Sequence, residues 1–154
     1  MSWVFVDTNI LAYARDRHAP IKQPTAVAWL ASLARRRAGR ISTQVLIEYY
    51  AVATHPQKLA LPDASVRADI RELMTWSPPA PDAALFDAAW MVQDRHGLSW
   101  WDALIVGAAL RQGCTTLLSE DLQHGLEVDG VAGGGLLTVT NPFDPAIAAP
   151  DWMA

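Results

Sequence analysis

The stretch FVDTNILAY, residues 5–13, decides the reading of this chain. It runs apolar through Phe5 and Val6, stops at an acid, Asp7, adds Thr8 and Asn9, and returns to an apolar helical pattern at Ile10 and Leu11. Residues 3–6 are apolar and β-branched or aromatic, which predicts a short buried strand. A carboxylate at the end of such a strand is either turn chemistry or the seat of a ligand.

Working outward, strands and helices alternate. A helix is predicted from Pro24 to about Arg37, ending at Gly39. Arg40-Ile41-Ser42 reads as a brief second strand, and Thr43 opens a helix through Ala53, stopped before Pro56. Pro62 to about Leu73 is helical, with a strand expected at Met74-Thr75-Trp76. After Pro78, Pro79 and Pro81, residues 82–95 are helical with Gly97 beyond the end. Ser99 caps a very apolar helix to Arg111. Strands follow at 115–118 and 136–140, with a flexible turn expected at glycines 133–135. This alternation predicts an α/β fold with a parallel sheet covered on both faces. Ligands in such sheets sit beyond the carboxyl ends of the strands. Asp7 lies at one such end, and Ser119, Glu120 and Asp121 at another.

The 154 residues form a single expected domain, 51% hydrophobic and 18% charged, which excludes a disordered chain. No uninterrupted apolar run is long enough for a membrane span, and no export leader is apparent. The one cysteine, Cys114, rules out an internal disulfide and a cysteine zinc cluster. The net charge of −4 is the wrong sign for a module that holds nucleic acid by bulk electrostatics. An enzyme that meets phosphates through bound cations remains compatible with it.

Four acids stand in apolar company. Asp7 ends a strand, Glu48 is the only charge from Ile41 to Ala53, Asp102 is the only charge from Ser99 to Leu110, and Asp121 follows Leu117-Leu118. At helical spacing Glu48 shares its face with Gln44, Val45, Ala51 and Val52, and Asp102 with Ile105 and Val106. Two such charges ~4 Å apart repel by roughly 4 kcal/mol at an effective dielectric near 20. The chain has only two lysines, Lys22 and Lys58, and neither is expected nearby. A hard divalent cation, Mg²⁺ or Mn²⁺, would convert repulsion into coordination. Each acid also has a plain alternative: a capping box from Ser99 to Asp102, an ion pair of Glu48 with Arg40, and turn or cap roles for Asp7 and Asp121. These explain the acids one at a time and leave their gathering unexplained.

The segments VFVDTNILAYARD (4–16), ISTQVLIEYY (41–50), LSWWDALIVGAA (98–109), LLSEDLQHG (117–125) and VTNPF (139–143) resemble the PIN-domain nucleases, and within them the VapC-type toxins of toxin–antitoxin pairs. The resemblance implies a three-layer α/β/α fold around a parallel five-stranded sheet, with a nuclease domain over 1–145 and a tail over 146–154. It implies metal-dependent hydrolysis of RNA to 5′-phosphate and 3′-hydroxyl ends, with Mg²⁺ or Mn²⁺ as cofactor. Position by position, the catalytic and metal-binding acids fall on Asp7, Glu48, Asp102 and Asp121, supported by Thr8, Asn9 and Ser119. Glu120 fits the pattern less well than Asp121. The resemblance further implies a small antitoxin partner, a homodimer and, with no leader or membrane span, a cytoplasmic location.

Other residues invite functional readings beside plainer ones. Arg35, Arg36, Arg37 and Arg40 can hold RNA or complement a helix end. Arg15, Arg17 and His18 can lie near the cleft. Trp100 and Trp101 can stack on bases, although a core position is expected for Trp101. Tyr49, Tyr50 and Trp29 are candidate apolar anchors for an antitoxin over residues 10–60. His96 and His124 lie near the motifs, but hard-oxygen chemistry needs no histidine. Among rivals, a receiver domain would need a lysine after the fifth strand, and an aspartate-nucleophile phosphatase an acid at residue 9, which is Asn. A PIN-like scaffold that binds RNA or a partner without cutting is the remaining alternative.

Overall fold

The computed structural model describes residues 2–130 and 134–147. Its elements are β1 (Trp3–Val6), α1 (Thr8–Ala14), α2 (Lys22–Arg36), β2 (Gly39–Arg40), α3 (Thr43–Thr54), α4 (Asp63–Leu73), a 3₁₀ turn (Met74–Trp76), α5 (Ala83–His96), α6 (Trp100–Arg111), β3 (Cys114–Leu118), β4 (Glu127–Asp129) and β5 (Leu136–Thr140). One five-stranded sheet, in the order β2-β1-β3-β5-β4, is flanked by the helices. The expected α/β class is therefore observed. One part differs: β4 runs antiparallel to β5, so the sheet is mostly parallel and not wholly so.

Register decides where chemistry can occur. Val6 stands beside Leu118, and Leu118 beside Thr140, so β1, β3 and β5 end level. The Asp7 N–H donates to the Leu118 carbonyl at 3.0 Å, and the Ser119 N–H to the Thr140 carbonyl at 3.1 Å. These bonds carry the alignment one residue beyond the strands. Phe5, Val6, Leu117, Leu118, Leu137 and Val139 are fully or almost fully buried, each contributing about 1.5–3 kcal/mol of transfer free energy. The edge that presents Asp7 and Ser119 is thus rigid.

Several predicted boundaries move, for local reasons. The second helix starts at Lys22, so Pro24 is its third residue, where the absent N–H has no intrahelical partner in any case. It ends at Arg36 and is capped by Arg37, which takes the left-handed conformation (φ 52°) two residues before Gly39. The Ala38 N–H then closes back on the Leu33 carbonyl. Gly39 serves a different purpose: a Cβ there would stand 2.2 Å from the Trp76 ring. The second strand is Gly39–Arg40, while Ser42 is the residue that precedes α3. The strand expected at Met74–Trp76 is a 3₁₀ turn continuing α4, closed by Ser77 at φ 54°. Trp76 meets the sheet edge with its ring, leaving no backbone to pair there.

The short β4 has only one inward residue, Val128, between two acids, too brief a pattern for sequence to reveal. Of glycines 133–135, Gly133 lies outside the described residues, as does the tail from residue 148. No helix of the described residues is long and apolar enough to cross a membrane.

Candidate active site

Asp7 is the N-terminal cap of α1, in extended conformation, with its side chain accepting from the Thr8 N–H at 2.7 Å. The strand therefore ends in a carboxylate because the following helix needs an acceptor at its first turn. Asp7 Oδ2 also accepts from the Ser119 hydroxyl at 2.7 Å and lies 3.4 Å from the Asn9 amide nitrogen. Only 7% of Asp7 is exposed. Burial pushes its carboxyl up from 3.8 to about 6; the Ser119 and Thr8 bonds oppose this, and the charges of Asp121 and Glu48 add to it.

Glu48 projects from α3, half-buried, and accepts from the Thr8 hydroxyl at 2.8 Å and from the Gln44 amide at 2.9 Å. It makes no pair with Arg40, which donates to the Gly39 carbonyl and lies over the Trp3 ring. Asp121 is exposed and accepts from the same Asn9 amide nitrogen that faces Asp7, at 3.2 Å. Ser119 is fully buried and also takes the N–H groups of Asp121 and Leu122. Asn9, Ser119 and Thr8 thus tie three acids from distant segments into one network.

Asp102 is placed differently. It is the third residue of α6, half-buried, and its backbone N–H donates to the Ser99 hydroxyl at 3.2 Å. Among the described residues, no bond runs from its carboxylate back to Ser99, so only one half of a capping box forms. The Gln44 amide approaches the Trp101 carbonyl at 3.4 Å while holding Glu48, which brings the start of α6 beside the cluster. Asp102 is nevertheless absent from the charges that act on Asp7.

Sequence reasoning missed two contributors. Gln44 shares a helical face with Glu48, and that spacing was the available signal. Lys22 does reach the sheet's carboxyl edge, where it pairs with Glu120 and lies over Tyr13. It neutralises the acid outside the cluster and none of the four within it. Elsewhere, Trp101 is 65% exposed and is no core residue: it sits in the first turn of α6, ahead of the run Ala103–Ala109 that is buried on every side. Tyr49 and Trp29 are buried and offer no surface anchor. Tyr49 donates to Asp69, which also takes Arg15 at 3.3 Å, so Arg15 braces α1 to α4. His124 accepts from the Asn141 N–H at 3.1 Å, a loop-fastening role.

The cluster offers carboxylate and hydroxyl oxygens, which suit a hard divalent ion, while Asn9 and Gln44 turn their amide nitrogens to the acids. As the side chains stand, no group of three or more His, Cys, Asp or Glu among the described residues is arranged to hold a metal. The chemistry fits, and Glu48, Asp102 and Asp121 retain exposure that allows them to turn inward.

Such a site, carboxylates gathered beyond aligned parallel strands, defines an acidic-cluster α/β protein. A model of the PIN domain matches residues 4–125, and the chain belongs to that family. No curated protein matches the chain in sequence. Among the solved structures that share its fold are three at 18–22% identity. VapC20 of Mycobacterium tuberculosis, described as a sarcin–ricin loop cleaving toxin, superposes with a TM-score of 0.58 at 22% identity, covering 77% of this chain and 91% of its own. FitAcB of Neisseria gonorrhoeae gives 0.57 at 18%, covering 92% and 99%. VapBC2 of Rickettsia felis, solved with a fragment of promoter DNA, gives 0.52 at 18%, covering 78% and 88%.

Proposed function

We propose that this protein is an Mg²⁺- or Mn²⁺-dependent endoribonuclease and the toxin of a toxin–antitoxin pair. The observation that carries the reading is Asp7: a buried carboxylate fixed by Ser119 and Thr8 at the strand edge, with Glu48 and Asp121 charged against it. Like charges held together without a cationic side chain are costly, and a divalent ion relieves the cost. Asp7, Glu48, Asp102 and Asp121 would hold the ion, with Asp7 as anchor. The bound ion would supply Lewis acidity at the scissile phosphate and at the attacking water. The chain's own part is positional. Ser119 and Thr8 lock the Asp7 carboxylate, Asn9 spaces Asp121 from it, and Gln44 with Thr8 keeps Glu48 turned to the cluster. RNA as substrate draws on VapC20, whose description names a loop-cleaving activity.

Two surfaces support the partner assignments. An apolar groove of about 420 Å³ between α2 and α4, lined by Leu11, Val27, Leu30, Leu73 and Trp76, suits an antitoxin segment. Ile47 on α3 and Trp101 on α6 are 70% and 65% exposed, the Gln44–Trp101 contact links their helices, and Phe86 and Trp90 on the neighbouring α5 pack on Trp100. This face suits a second copy of the chain. Light scattering should report a dimer that Ile47→Glu with Trp101→Ala dissociates; a monomeric wild type removes the assignment.

The non-catalytic scaffold draws support from Asp102, whose carboxylate makes no bond to the network of the other three acids among the described residues. Purified protein incubated with Mn²⁺ and a panel of structured RNAs, including a sarcin–ricin-type loop, separates the two. Cleavage should vanish with EDTA and in Asp7→Asn. Equal behaviour of wild type and variant defeats the nuclease reading. Expression in a bacterium with and without the upstream reading frame tests the toxin role: growth should stop only in its absence.

A further inference from the structure

Away from the acids, at the β2 edge of the sheet and the start of β1, lies a cavity of about 740 Å³. Its lining includes Trp3, Trp76, Arg37, Arg40, Gln112 and the lone acid Glu72. We propose that this cavity is a binding site for a nucleoside phosphate, separate from the acidic cluster.

Four observations support that chemistry. The first is aromatic: two indoles, both partly exposed, border one cavity, and indole faces stack on any nucleobase. Trp76 is set in place by Gly39, whose missing Cβ lets the ring lie directly against the strand. The second is cationic. Arg40 holds its guanidinium carbon 3.6 Å from the Trp3 ring centroid and donates to the Gly39 carbonyl, two contacts that keep the fork oriented. Arg37, at the left-handed end of α2, is exposed and forms no ion pair among the described residues. Guanidinium forks match phosphate oxygens better than any other side chain does.

The third is polar variety: Thr75 and Ser77 complete the wall, and the Ser77 hydroxyl, with the acceptor side of the Thr75 hydroxyl that donates to the Glu72 carbonyl, can read a base edge or a ribose. The fourth is size. The volume falls within the range of small-ligand pockets, roughly 300–1,000 Å³, and is far larger than a bare anion needs. In a chain of net charge −4, a cavity with two arginines against one glutamate also runs counter to the mean surface. A sugar would leave the arginines unused, and a lipid chain would leave the hydroxyls unsatisfied. The site adjoins the α2–α4 groove across Trp76, and it does not depend on the nuclease reading.

The same chemistry is presented by a free mononucleotide and by the phosphorylated end of an RNA. Calorimetry and tryptophan fluorescence on the full chain test both, with AMP, GMP, a 5′-phosphorylated tetraribonucleotide and inorganic phosphate as probes. Wild type and Asp7→Asn, in EDTA, should bind a nucleotide probe with the same saturable affinity, tighter than about 1 mM. Arg37→Gln should weaken it at least about tenfold, and Arg40→Gln likewise, with unchanged circular dichroism. Binding of AMP or GMP identifies a free nucleotide as the source; binding of the tetranucleotide alone identifies a chain end. The proposal falls if no probe saturates, if inorganic phosphate binds as well as the nucleotides, if Arg37→Gln changes nothing, or if Asp7→Asn abolishes binding.

Discussion

The Ser119 hydroxyl donates a 2.7 Å hydrogen bond to Asp7 Oδ2 across 112 positions of sequence. The bond exists because β1 and β3 are neighbours in register, and it holds the buried carboxylate that the rest of the site surrounds. Ser119 also receives two backbone N–H groups from its own turn, so one oxygen joins loop geometry to the acid's orientation.

Ser119→Ala should therefore act twice. Removing a buried hydroxyl with several partners should cost about 1–3 kcal/mol in urea unfolding. Because that hydroxyl favours the ionised carboxylate, its loss should push the Asp7 proton affinity higher. If cleavage is observed, the acid limb of its pH profile should move to higher pH in the variant. A loss of stability with an unmoved limb would separate Ser119 from the Asp7 charge.

Asp7 itself gives the metal-free protein a distinctive pH dependence. Its folded value of about 6 exceeds the ordinary 3.8, so between these the folded state holds a proton the unfolded state has released. Stability should fall as pH rises through this window and stay reduced above it. Asp7→Asn removes the charge, and in EDTA near pH 7.5 it should be more stable by on the order of 2–3 kcal/mol. The gap should close below about pH 3, where Asp7 is protonated in the folded and the unfolded state alike. A variant less stable than wild type at the higher pH would contradict the burial argument.

Asp102→Asn keeps the backbone N–H that Ser99 caps. Its metal-free melting temperature should equal or exceed that of wild type, whereas its stabilisation by Mn²⁺ should be largely lost. Differential scanning calorimetry with and without the ion decides this. A large metal-free loss would return Asp102 to a purely structural role.

At the far edge of the sheet, Gly39→Ala should be destabilising by about 1–3 kcal/mol, since its Cβ meets the Trp76 ring. The same substitution in a Trp76→Ala background should cost much less, and the double-mutant cycle measures the coupling. Additive effects would show that the ring is free to move aside.

The features legible in the sequence are those set by neighbours in the chain. The apolar run at 3–6, the Ser99 cap, the Gly97 stop and the alternation of strands with helices depend on local periodicity and capping, and the structure contains each of them. Asp7, Glu48 and Asp121 stood out because each is a charge in an apolar setting, and the structure joins them through Thr8, Asn9 and Ser119. Where the reading failed, a distant contact overrode a local preference. Met74–Trp76 has strand-like residues, yet the segment turns so that Trp76 reaches Gly39.

By itself, then, the sequence determined the order of elements, the α/β class and the positions where acids end strands or interrupt apolar helix faces, because those follow from spacing along one chain. Tertiary structure alone decided that Thr8 reaches Glu48, that Lys22 is taken by Glu120, that Trp101 faces outward and that two arginines and two tryptophans share a cavity. The physical reason is that side-chain partnership depends on how separate helices pack and cross, and no local pattern records the side chains that packing brings together.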